Sequence, residues 1–252
     1  MGDRGGSGDI PVWGVSMKKT IGEGIQERQV KVNIHGITLD GNFTLPEGAE
    51  GVVLFAHGSG SSRHSPRNRH VAEVLNQARL ATLLVDLLTP QEEAIDMRTG
   101  HLRFDIGLLA ERLIRATDWL VEYPDTRNLR IGYFGASTGA AAALVAASQR
   151  PEPVGAVVSR GGRPDLAGPA LGRVRAPTLL IVGGNDFQVI ELNRVAFEQL
   201  RSEKRLVIVP GATHLFEETG ALDEVATLAR DWFQRHLVAE ERRPAEPHTG
   251  EN

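Results

Sequence analysis

Residues 130–147 read RIGYFGASTGAAAALVAA. An apolar run of β character ends at Gly135, and an alanine-rich run of helical character begins after Gly139. Between them stands one hydroxyl, Ser137, with almost no side-chain bulk beside it. The spacing G-x-S-x-G describes a sharp turn from strand into helix that strains the serine backbone and lifts its hydroxyl above a sheet. A side chain at 135 or 139 would collide with the neighbouring strand or helix, so glycine stands there. The alanines let the helix pack closely beneath the serine. Its first turn also offers unpaired N–H groups and the positive end of a dipole.

The same alternation recurs on both sides. GVVLFAHG (51–58), ATLLVDLL (81–88), VGAVVSRGG (154–162), APTLLIVGG (176–184) and KRLVIVPG (204–211) are short apolar runs, the pattern of strands covered on both faces. Helical spacing separates them at 65–80, from Phe104 to Val121, at 138–149, 189–201 and 223–237. Ahead of all these, ERQVKVNIHG and ITLDGNFTLP alternate in polarity and turn near His35-Gly36, an antiparallel hairpin. The expectation is an α/β fold: a mostly parallel sheet of about eight strands, an N-terminal hairpin, helices on both faces and no large cap. We expect residues 1–20 to be a flexible leader, 21–238 one domain, and 239–252 a polar tail.

Composition narrows the function classes. The 252-residue chain has a formal net charge of -4, and no basic stripe of the kind that binds nucleic acid. It contains no cysteine, which removes disulfides, thiolate metal sites and a thiol nucleophile, and agrees with a cytoplasmic location. No run is long and apolar enough for a membrane span. His57, His64 and His70 match no compact metal-ligand set, and the glycines near them lack the lysine of a phosphate loop. No metal or cofactor is expected.

In sheets of this kind ligands sit beyond the carboxyl ends of the strands. Those ends carry Gly58-Ser59 after the third predicted strand, Ser137-Thr138 after the fifth, Asp186 after GGN, and His214 after PGAT. A serine, an acid and a histidine therefore reach one rim in that order. Ser137 reads as nucleophile, His214 as general base and then acid, and Asp186 as the group that fixes the imidazole tautomer. Backbone N–H groups of Thr138 and Ser59 are the candidate oxyanion donors. Asp165 and Glu191 are the rival acids, while Asp86 reads as structural. Arg63 and Arg160 are candidate contacts for an anionic substrate, with Arg67 and Arg69 nearby.

These motifs resemble the α/β-hydrolase superfamily, and within it the small, capless dienelactone-hydrolase-like branch, from about residue 30 to 238. The resemblance rests on H-G-x-G, G-x-S-x-G, GGND and PGATHLF. The namesake enzymes of that branch use cysteine where this chain has Ser137, so the resemblance implies serine-esterase chemistry. It implies hydrolysis of small to medium carboxylic esters, lactones and thioesters included, through an acyl-enzyme. The alternatives are acyl transfer by the same triad and a non-catalytic small-molecule-binding protein. The expected partner is an ester substrate, with no nucleic acid and no membrane; the oligomeric state is open.

Overall fold

The structure, a computed structural model, describes residues 14–22, 24–34 and 36–238, with side chains from residue 24 onward. One nine-stranded sheet runs through it in the order β1-β2-β3-β5-β4-β6-β7-β8-β9. The strands are β1 Gly14–Gly22, β2 Ile25–Ile34, β3 Ile37–Pro46, β4 Gly51–Ala56, β5 Leu80–Val85, β6 Arg130–Ala136, β7 Val154–Arg160, β8 Thr178–Gly183 and β9 Lys204–Val209. The first three form an antiparallel meander joined antiparallel to β5, and every later pairing is parallel.

The strand order positions the site. After β4 the chain steps outward to β5 on one side, then returns to lay β6 on the other. The loops leaving β4 and β6 diverge at this reversal and open a crevice between them, as such switch points do. These are the loops that carry Gly58-Ser59 and Ser137.

Two hydrophobic layers hold the sheet. On one face α3 (Ile106–Glu122) and α4 (Thr138–Gln149) bury Leu109, Leu113, Leu120 and the alanines of α4 against Leu54, Tyr133 and Val157. On the other, α1 (Pro66–Gln77) and α6 (Ala221–Leu237) bury Val71, Leu75, Ala229 and Phe233 against Phe55, Phe134 and Val158. β4 and β6 are covered on both faces, which explains their unbroken apolar runs. β9 is the edge strand opposite β1: it pairs only with β8, and most of its residues are half-buried or exposed. Beside it, α5 (Phe187–Gln199) ends with the carbonyls of Phe197 and Leu200 accepting hydrogen bonds from Lys204 Nζ at 2.6 and 2.9 Å.

Two expectations need correction. Residues 14–20, read as leader, belong to β1, which pairs with β2 from Gly14 opposite Lys31 to Gly22 opposite Ile25. With β1 included, the sheet expected at about eight strands has nine. A further helix, α2 (Pro90–Thr99), was not anticipated. Its signal was present in Thr89-Pro90-Gln91-Glu92: Thr89 Oγ1 accepts from Glu92 N–H at 3.2 Å and Glu92 Oε2 accepts from Thr89 N–H at 2.8 Å, a reciprocal cap. Residues 1–13 of the expected leader and the tail from 239 lie outside the described residues.

Candidate active site

The turn at Ser137 is as tight as its glycines require. Ser137 has φ 51° and ψ -124°, a conformation that costs a non-glycine residue on the order of 1–3 kcal/mol. A Cβ on Gly139 would lie 2.2 Å from the carbonyl oxygen of Ala56, and one on Gly135 would lie 2.5 Å from Ala140 Cα. Hydrogen bonds from both sides hold the strain. Ser137 N–H donates to Arg160 O at 3.3 Å, and Ser137 O accepts from Arg163 N–H at 3.0 Å. Ser137 caps α4, so the first-turn N–H of Thr138 has no helical carbonyl to bond.

The acid and the histidine follow β8 and β9. Asp186 Oδ2 meets His214 Nδ1 at 2.7 Å. The carboxylate side chain is 15% exposed and the imidazole 40%, so the pair is shielded on the acid side and reachable on the ring side. The segment after β7 joins this pair to the serine. A Cβ on Gly161 would lie 3.6 Å from His214 Cε1, while the adjacent Arg160 carbonyl accepts from Ser137 N–H. Ser137 and His214 thus approach the same short stretch, residues 160–163. The histidine loop has its own clamp: Glu218 accepts from Thr213 N–H at 3.1 Å and from Thr213 Oγ1 at 2.6 Å. These two bonds outweigh burial and lower the Glu218 pKa.

The rival acids are occupied. Asp165 takes both guanidinium arms of Arg163 at 2.9 and 2.8 Å, and Glu191 pairs with Arg194 at 2.6 Å on the surface. The histidines of the glycine-rich loop part company. His57 Nε2 accepts from Leu87 N–H at 3.0 Å, so Nδ1 carries the proton it donates to Gly58 O at 3.1 Å. His70 pairs with Asp223 on α6, and His64 is exposed. Among the described residues no group of His, Asp or Glu is arranged to hold a metal ion. None of their helices is long and apolar enough to cross a membrane.

Ser59 and Thr138, the two candidate oxyanion residues, come together across the crevice with their hydroxyl oxygens 3.1 Å apart. Gly58 permits this approach, since a Cβ there would lie 2.8 Å from Ser137 Cβ. His57, tied to Leu87 beyond β5, anchors the base of the loop; its role was not visible in the sequence. From Ser59 and Thr138 an open cleft extends past Asp86 and Leu88 to Glu93, Asp96 and Met97 of α2.

The two candidate substrate arginines behave differently. Arg63 is held by Asp86, which accepts from both its backbone N–H and its guanidinium. Arg160 is buried, with Nη2 donating to Asn68 Oδ1 at 3.2 Å and its guanidinium 6.0 Å from the centre of the Phe216 ring. Burial, with a smaller contribution from Arg67, lowers its pKa to about 10.

Known proteins are similar to this chain in sequence and fold. The model of the dienelactone hydrolase family matches residues 43–238. A solved dienelactone hydrolase from Anabaena variabilis is 66% identical, with TM-score 0.84, covering 85% of this chain and 99% of that one. Est1E from Butyrivibrio proteoclasticus shares the fold at 15% identity, with TM-score 0.69 over 82% of this chain and 98% of its own. A Mycobacterium tuberculosis protein, provisionally named a phosphoribosyl transferase, is 59% identical over 213 residues, 84% of this chain and 47% of its own length. The chain therefore spans about half the length of the curated relatives it matches.

Proposed function

The chain belongs to the dienelactone hydrolase family, and from that premise we propose that it is a serine hydrolase of small to medium carboxylic esters, lactones and thioesters included. The observation that carries this reading is the 2.7 Å pairing of His214 with Asp186, on a loop packed against the segment that also bonds the Ser137 backbone. Asp186 holds the proton on Nδ1, which leaves Nε2 free to take the hydroxyl proton of Ser137. The serine oxygen adds to the substrate carbonyl, and the oxyanion formed is met by the N–H groups of Thr138 and Ser59. Collapse breaks the ester bond, and the alcohol leaves with the proton from His214. Water, deprotonated by the same imidazole, then releases the acid and restores Ser137.

An activated aryl ester should give burst release of the phenol, and a serine-reactive phosphonate should add one adduct at Ser137. A folded Ser137→Ala variant with full turnover would refute the proposal. We assign no phosphoribosyl transfer to this chain. That name belongs to proteins about twice as long, and the His214–Asp186 pair supports a serine nucleophile instead.

A further inference from the structure

We propose that the molecule carries a second binding site on the rim of the sheet away from Ser137, a basic hollow that takes a small polyvalent anion bearing two or more phosphate or carboxylate groups. The site is independent of the serine-hydrolase reading, since it shares no lining residue with the cleft beside Ser59 and Thr138.

Its place follows from the path of the chain. Ser137, Asp186 and His214 follow the C-terminal ends of β6, β8 and β9, so the segments that lead into the parallel strands lie at the other rim. Three of those segments meet at one hollow of about 550 Å³: Pro151 ahead of β7, residues 172–175 ahead of β8, and Arg201-Ser202 ahead of β9. Ser148, in the last turn of α4, lines it as well. The volume lies within the roughly 300–1,000 Å³ usual for small-molecule sites.

The wall holds three cations and no anion. Arg173, Arg175 and Arg201 line the hollow, no Asp or Glu does, and none of the three has an ion-pair partner among the described residues. Nearby arginines are met by carboxylates, Arg150 by Asp118 and Arg235 by Glu203. The C-terminal ends of α4 and α5 attract cations, but that need is served elsewhere. Lys204 Nζ already bonds the α5 carbonyls of Phe197 and Leu200, and of the three arginines only Arg173 bonds the main chain, through Nη1 to Pro169 O at 3.1 Å. The unused guanidinium N–H groups are planar forks that fit two oxygens of a phosphate or carboxylate at once. A univalent anion would answer one such fork and leave two positive charges uncompensated. A polyvalent anion answers several together.

The test is calorimetric titration of the whole protein with inorganic pyrophosphate, citrate and acetate, at about 20 mM ionic strength, where screening is weak. We expect pyrophosphate or citrate to bind with Kd below about 1 mM and at least about tenfold tighter than acetate; the better of the two tells phosphate from carboxylate chemistry. Arg175→Gln and Arg201→Gln should each weaken that binding by about tenfold or more, as the loss of a charge-assisted hydrogen bond does, and the double variant should abolish it. Arg127→Gln removes an exposed arginine that also lacks an ion pair among the described residues but lies outside the hollow, and it should leave Kd unchanged. Equal weakening in Arg127→Gln would make the attraction diffuse and overturn the proposal. So would acetate binding as tightly as the polyvalent probes, no binding by the folded parent, or binding that survives in Arg175→Gln/Arg201→Gln.

Discussion

The two walls of the crevice are made in opposite ways. On the β6 side, the turn at Ser137 is fixed by backbone touching backbone: glycines at 135 and 139 admit contacts that no side chain would allow, and alanines fill the space behind. On the far side, residues 86–105 are fixed by side chains reaching across loops, Arg63 to Asp86, Arg103 to Asp96 and Arg112 to Glu92. The first kind of wall has no slack, as the proposed nucleophile requires. The second keeps its shape through paired charges that can be exchanged singly.

Breaking the tight wall should have the largest effects. Ser137→Ala is expected to lower kcat for an aryl ester by about 10⁶-fold while leaving circular dichroism unchanged. Ser137→Gly should be equally inactive yet about 1 kcal/mol more stable in urea unfolding, because glycine relieves the positive φ. Asp186→Asn should cost about 10⁴-fold in kcat by freeing the wrong imidazole tautomer. Gly139→Ala places a methyl against Ala56 O and should destabilise by about 3 kcal/mol, read from the urea midpoint.

Disturbing the side-chain wall should do less. Arg63→Met is expected to cost about 1 kcal/mol in stability, with kcat for an aryl acetate within about threefold of the parent. The smallest effect sharpens the contrast by pH. Burial opposes ionisation of Asp96, but hydrogen bonds from Arg103 and Leu102 outweigh it and hold the pKa below the ordinary carboxylate value. A carboxyl with a depressed folded pKa contributes fully above its unfolded value of about 4 and loses that contribution as pH falls toward the folded one. Thermal melts between pH 6 and pH 3 should therefore fall less steeply for Asp96→Asn than for the parent.

This contrast also explains what could be read without coordinates. The serine, the acid and the histidine announce themselves because each sits within a few residues of a strand end, and short-range sterics dictate the glycines around them. The parallel sheet was legible for the same reason, in its repeated apolar runs. Arg63 and Asp86 are 23 residues apart, and Arg67 meets Glu217 across 150, so nothing local marks them as partners. The strand at 14–22 escaped notice because lateral pairing with β2 uses backbone groups, which every residue has. Helix α2 was missed differently: its capping signal was present, but its residues are mostly polar and almost none is buried, so no apolar stripe drew attention.

The imidazole and the hydroxyl ride on very unequal supports. Ser137 issues from β6, enclosed by neighbours on both sides, whereas the loop bearing His214 hangs from β9 at the margin of the sheet. Margins fray first when a protein warms, because fewer contacts must be given up there. Heating should therefore silence turnover at temperatures where most amide protons in the interior are still protected, so that inactivation would report the edge of the molecule rather than its melting.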